Sequence, residues 1–283
     1  MAVTAVVLCV AGSLVWASLG RAGRAFAGTR DPWLGAAAPA SSAHDVVVAE
    51  LFTSEGCSSC PPADEVLRRL VREPVDGTIV LGLGEHVDYW DHLGWRDPFS
   101  SPAFSNRQAE YQGQVFRAGS IYTPQLVVDG QFEVIGSDVP AVRRAIANAA
   151  RIPKAAIDVA ASLAGDGLLS VRVRMSPPAA GAIRERADLI VALTQDHLAS
   201  EVRRGENHGR VLAHSAVVRS LTALGSVQPP VRAFDKTVTI PVAADWEVRD
   251  VRVIGLLQER RSRRIVGAGS AHVSAREAPS SVN

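Results

Sequence analysis

The stretch ELFTSEGCSSCPPADEVLRRL, from Glu50 to Leu70, joins three signals. It begins inside the apolar run VVVAELFT (Val46–Thr53), the pattern of a strand buried on both faces. It ends in a segment with two leading prolines, early Asp64 and Glu65, and apolar Val66, Leu67 and Leu70, which predicts an amphipathic helix. Between them stand Cys57 and Cys60, separated by Ser58 and Ser59. That spacing alone serves a redox pair, half of a metal site or a strut closing a turn. The strand-to-helix context favours redox chemistry. A helix start presents unpaired N–H groups and positive potential that lower a thiol pKa, so Cys57 is the expected nucleophile and Cys60 the resolving thiol.

Working outward, TIVLGLGE (Thr78–Glu85) reads as a second buried strand, and a helix is predicted from Ser101-Pro102 to about Val115. TPQLVVDGQFEVIGSD predicts a hairpin turning at Asp129-Gly130, followed by a helix that Ser137 or Asp138 can cap. The order β-α-β-α-β-β-α over residues 46–153 predicts a small α/β sheet domain. After Ile152-Pro153 the helical period stops. Short alternating segments such as LLSVRVRM, DLIVALTQ, RVLAHSAVVRSL and KTVTIPV predict an all-β, sandwich-like domain over residues 154–275.

The 283 residues are 47% hydrophobic and 21% charged, with a formal net charge of +1. Near-neutrality argues against nucleic acid or an acidic membrane surface as partner. Ala2–Gly20 is apolar and uncharged, so residues 1–27 read as a signal peptide or an N-terminal membrane anchor, and 28–45 as a linker. Residues 276–283 read as a disordered tail. The expected location is therefore the periplasm or cell envelope, with membrane contact only through an uncleaved N-terminal segment. Cys9, the third cysteine, lacks a lipoprotein context and reads as a bystander.

GEHVDYWDHLGWRDPF (Gly84–Phe99) leaves the C-terminal end of the second strand, the edge where α/β sheets place their sites. His86, Asp88 or Trp90 can line the cysteine cleft, with His86 or Asp88 tuning a thiol or moving protons; Glu55, beside Cys57, can do the same or cap locally. The bland alternative is a structured loop with tryptophans in the core. RRGENHGRVLAHSAVVR (Arg203–Arg219) offers Asn207, His208, His214 and Arg219, which can line a binding surface or, more simply, form a polar hairpin leading into one strand. No phosphate-binding glycine loop, serine nucleophile elbow or HExxH motif occurs, and no cofactor is called for. A closed zinc site needs four ligands, so metal at the cysteines would have to recruit His86 or His92.

From Asp45 to Arg151 the residues resemble the thioredoxin-like superfamily, with Gly56 where its members usually carry Trp. The resemblance implies Cys57 as attacking cysteine, Cys60 as resolving cysteine, and a cis Thr123-Pro124 peptide whose loop receives an extended peptide substrate. FTSEGCSSCPPAD, HVDYWDHLGWRDPF, YTPQLVVDG and GENHGRVLAHSAVVR, in that order, resemble the bacterial secreted family called domain of unknown function 1223. That resemblance implies an α/β thioredoxin-like domain followed by an all-β domain and brings no activity. The expected function is thiol–disulfide exchange with an envelope protein. The rival is a non-catalytic binding protein, either with copper or zinc at the cysteines or with a docked partner and a structural disulfide.

Overall fold

The computed structural model describes residues 46–274 apart from 118, 165–166 and 180. The expected leader, linker and tail lie outside the described residues. Among the described residues no helix is long and apolar enough to cross a membrane. The described residues form one compact unit.

The first strand, β1 (Val46–Thr53), is buried almost throughout, as its unbroken apolar run requires. Helix α1 (Pro61–Leu70) crosses over to β2 (Ile79–His86), which lies parallel to β1 with Thr53 opposite His86. Helix α2 (Pro102–Tyr111) begins at Ser101, whose Oγ accepts from the Ala103 N–H, and continues as a π-turn over Gln112–Phe116. Strands β3 (Gln125–Val128) and β4 (Phe132–Ile135) form the hairpin at Asp129-Gly130, with β3 antiparallel to β1. Helix α3 (Val139–Ala150) is capped by Asp138. Nine further strands follow: β5 (Ala155–Leu163), β6 (Leu168–Met175), β7 (Ala187–Gln195), β8 (Leu198–Glu201), β9 (Val211–His214), β10 (Val217–Val227), β11 (Phe234–Pro241), β12 (Val251–Glu259) and β13 (Ile265–Ser274).

The expectation of an α/β thioredoxin-like domain followed by a separate β-sandwich is overturned. Eleven strands form one mixed sheet in the order β11-β6-β5-β13-β12-β7-β10-β2-β1-β3-β4. The joint is β10 against β2: Val217 pairs with Gly84, and the Gly84 N–H donates to the Ala216 carbonyl at 2.7 Å. Without this contact β2 would be an open edge, with unpaired backbone groups inviting other strands. One core runs across the joint, with Val48, Leu81, Leu83 and Phe104 packed against Ala192, Val218, Ile254 and Leu256. A second core packs β1 and β3 on α1 and α3, and a third joins β5 and β6 to β7 and β12.

The segment expected as one strand over 210–221 is broken. Ala216 takes a left-handed φ of 53°, its N–H bound to Asp196 Oδ1 at 2.7 Å, and β9 leaves the large sheet to pair with β8. The Asp129-Gly130 turn also does more than reverse the chain. The Asp129 carboxylate accepts from the Val48 N–H and pairs with Lys154 at 2.7 Å, and the Asp129 carbonyl accepts from the Ile265 N–H. Gly130 has φ +70°, and a Cβ there would stand 2.0 Å from the Arg263 carbonyl oxygen. Gly130→Ala is therefore expected to lose about 2–3 kcal/mol, from left-handed strain together with overpacking against backbone. Urea unfolding measures it, and a loss below about 0.5 kcal/mol would show that the turn yields freely.

Candidate functional site

Cys57 and Cys60 are joined in a disulfide, with Cα atoms 5.4 Å apart, where β1 gives way to α1. The chain turns tightly: the Cys57 N–H donates to Ser54 O and the Cys60 N–H to Cys57 O, and Cys60 is the N-cap of α1. Both cysteines are buried, at 1% and 0% exposure, while Ser58 and Ser59 between them are exposed. Ser59 Oγ lies 3.3 Å from Cys57 Sγ.

Beneath this loop lies a closed set of polar groups. Glu55, wholly buried, receives Trp95 Nε1 on one carboxylate oxygen at 2.8 Å and meets His214 Nε2 on the other at 3.0 Å. Its N–H donates to Asp97 Oδ2, which also meets His86 Nδ1 at 2.7 Å. The two imidazoles meet edge to face, with centroids 4.9 Å apart, and Phe99 packs against both. Thr53 Oγ1 donates to Asp64 Oδ1 at 2.8 Å.

The electrostatics follow from burial and pairing. Burial disfavours the charged form of His86, but the Asp97 carboxylate, with Asp64 and Glu55 behind it, outweighs that and holds its pKa above the usual imidazole value. Burial would raise Asp97, yet His86 pulls it below the ordinary carboxylate range, so the two partners agree on an ion pair. Burial raises Asp64, and the imidazoles of His214 and His86 offset only part of this. A carboxyl with raised affinity for protons thus sits one helical turn beyond Cys60, since the Asp64 N–H donates to the Cys60 carbonyl.

The expected site residues separate into three groups. Cys57, Cys60 and Glu55 share one loop. Trp90 joins that loop to Thr123-Pro124: a Cβ on Gly56 would stand 2.9 Å from the Trp90 Cβ, and Trp90 Nε1 donates to Thr123 Oγ1 at 2.9 Å. The Thr123-Pro124 peptide is cis. His86 belongs to the buried cluster and is committed to Asp97. Asp88 is elsewhere; its N–H donates to Ser105 Oγ, and its carboxylate accepts from that hydroxyl, so it braces the start of α2 instead of the thiols. His92 is exposed, its ring nitrogen against Tyr89 O. Among the described residues no group of three or more His, Cys, Asp or Glu is placed to hold a metal ion.

Four members of the site were passed over in the sequence. Asn207 and His214 read there as a polar hairpin and a strand residue. Asn207 is instead fully buried, its amide donating to the carbonyls of both Glu55 and Cys57 at 2.9 Å. Asp97 stood among many polar loop residues with nothing to single it out. Asp64 did carry a signal: at one turn from Cys60 and three residues before Leu67, it places a carboxyl on the sheet-facing stripe of an amphipathic helix.

Comparison with known proteins gives three findings. The family model described as "Protein of unknown function (DUF1223)" matches residues 48–258. The crystal structure of protein AGR_C_4864 from Agrobacterium tumefaciens is similar at 30% identity and a TM-score of 0.58, over 79% of this chain and 92% of that one. HBP35 of Porphyromonas gingivalis is similar at 16% identity and a TM-score of 0.63, over 85% of this chain and 78% of that one, a likeness of fold. No curated protein matches the chain.

Proposed function

Because the chain belongs to the DUF1223 family of proteins of unknown function, its site has to supply the reading, and we propose thiol–disulfide exchange at Cys57–Cys60. The observation that carries it is the bonded Cys57–Cys60 pair at the β1–α1 turn, seated on a buried set of titratable groups. The reading rests on this chemistry and not on a separate thioredoxin-like domain.

In the reducing direction for the pair, a thiolate of a partner dithiol attacks Cys57 Sγ. The S–S bond breaks, and Cys60 leaves as a thiolate that takes up a proton. The partner's second thiolate then attacks its own sulfur in the mixed disulfide and releases Cys57, which is protonated in turn. The partner loses two electrons and acquires a disulfide, while the pair gains two electrons and two protons; the reverse direction reduces a disulfide in the partner and re-forms the Cys57–Cys60 bond. No cofactor is needed. Asp64, one turn from Cys60, supports the reading because a carboxyl of raised pKa can accept the Cys60 proton and return it. The partner is a protein thiol or disulfide, and the apolar segment Ala2–Gly20 supports a location in the cell envelope, where disulfides persist.

A second reading is favoured by burial. With Cys57 and Cys60 at 1% and 0% exposure, the bond can serve as an inert strut while the β-rich part docks a partner. The reduction potential separates the two. Equilibration in graded thiol buffers should give a midpoint between about −120 and −270 mV for an exchange catalyst; a midpoint below about −300 mV marks the strut. Cys57→Ser is expected to abolish exchange with a dithiol substrate. Undiminished exchange in that variant would sink the proposal.

A further inference from the structure

Strands β8 and β9 stand outside the eleven-stranded sheet, and the loop between them bends over the cysteines. Glu206 Oε2 accepts from the Ser58 N–H at 2.9 Å, across 148 residues. The next residue, Asn207, holds the carbonyls on either side of Gly56, and its own Oδ1 accepts from Arg210 Nη1 at 2.6 Å. The loop is thus fixed by a buried amide, while the Glu206 side chain beside it is exposed.

The Ser58 N–H is a donor next to Cys57 at the entry to α1. Donors so placed stabilise a thiolate, which makes the reduced form of a cysteine pair more favourable. Here that donor already serves a carboxylate. A thiolate on Cys57 would also face the Glu206 negative charge across a single residue, and like charges disfavour ionisation. Of the charged groups near the cysteine loop, Glu55 is held by Trp95 and His214, Asp97 by His86, and Arg210 by Asn207, while Asp64, one turn beyond Cys60, accepts from Thr53 Oγ1.

We propose that Glu206 is a positioning residue that restrains reduction of the Cys57–Cys60 disulfide, by occupying the Ser58 N–H and opposing negative charge on Cys57. This rests on the exchange reading above and gives the β-rich part of the chain a role in it. A partner that draws Glu206 off Ser58 frees the donor and favours the reduced pair.

The test uses the full chain and the variant Glu206→Gln, which keeps an acceptor oxygen for Ser58 and removes the charge. Glu206→Arg reverses the charge. Each protein is equilibrated in graded dithiothreitol buffers at about 10 mM and about 1 M salt, and free thiols are trapped by alkylation. The equilibrium constant for reduction is expected to rise about tenfold in Glu206→Gln at low salt, a midpoint about 30 mV less negative, and further in Glu206→Arg. The difference from the parent should shrink at high salt, where exposed charges are screened. Unchanged midpoints in both variants would overturn the proposal, and so would a shift that persists undiminished at about 1 M salt. A parent midpoint below about −300 mV would instead defeat the exchange reading, while the shift between parent and variant would still be read in the same buffers.

Discussion

Replacing Arg107 by Leu is expected to lower the unfolding free energy by about 3–5 kcal/mol at neutral pH. Arg107 extends from α2 into the joint between the helix-bearing end of the sheet and β12. Its Nε donates to Glu50 Oε2 at 2.6 Å and lies 3.4 Å from Glu85 Oε1; its Nη1 donates to Gln258 Oε1 at 3.1 Å. Tyr111 donates its hydroxyl to the other Glu50 oxygen and accepts from Gln258 Nε2. Both glutamates have no exposure at all. Burial pushes Glu85 far above the ordinary carboxylate range, the Glu50 carboxylate adds to this, and Arg107 only partly offsets it. The guanidinium is therefore what makes the charge of Glu50 tolerable in the interior.

With Leu in its place, Glu50 loses the cation bonded to it, Arg263 over the Tyr111 ring is left as the cation acting on Glu85, and Gln258 loses the donor to its oxygen. A buried ion pair adds little against a well-packed apolar replacement, but a buried charge left without its partner is costly. The companion expectation follows: Arg107→Leu combined with Glu50→Leu should recover most of the loss. Urea unfolding of the three proteins checks both statements. A single-variant loss under about 1 kcal/mol would mean that water reaches Glu50 and Glu85, against their burial.

The strands and helices between Val46 and Ala150 were legible because each carries its own local signal. The apolar run of β1, the two prolines of α1, the Ser101 cap of α2 and the Asp129-Gly130 turn all act within a few residues. The joint was not legible. It depends on a single β10–β2 backbone pairing at Gly84 and on core side chains that look alike whether they fill one core or two. The break at Ala216 escaped for a related reason: Ala does not advertise a left-handed φ, and the carboxylate that binds its N–H is Asp196, twenty residues earlier. At the site, the Cys57–Cys60 pair was visible from spacing and context, whereas Thr123-Pro124 entered only through the resemblance. The polar floor was hidden, because Glu55 finds His214 across 159 residues and Cys57 finds Asn207 across 150. Hydrogen bonds at that separation leave no periodicity. Only Asp64, polar on an apolar stripe, left a local trace.

Asp97→Asn should show how much that hidden floor matters, with an expected stability loss of about 3–5 kcal/mol near pH 5–6. Asp97 Oδ2 serves two donors at once, the Glu55 N–H at 2.8 Å and His86 Nδ1 at 2.7 Å, while Oδ1 accepts from the Phe99 N–H. An amide offers one oxygen, so at least one of these buried donors loses its acceptor, and a charged His86 loses its counter-ion. The pH dependence follows from the directions of the two shifts. Asp97 is depressed in the fold, so its contribution is present above the unfolded value near 4 and is lost as pH falls through the lower folded value. His86 is raised, so its contribution is full below about 6.5 and is lost as pH rises through the higher folded value. The gap between parent and variant should be widest between those limits and narrow on both sides. Urea midpoints at intervals from pH 3 to about pH 9 measure it, and a gap independent of pH would refute the ion pair. The same variant bears on the chemistry. If the pair only supports the loop, Asp97→Asn weakens the fold and leaves the Cys57–Cys60 potential where it was. If it also governs the Glu55 carboxylate above it, the potential moves with the stability, and the buried cluster belongs to the reaction as well as to the fold.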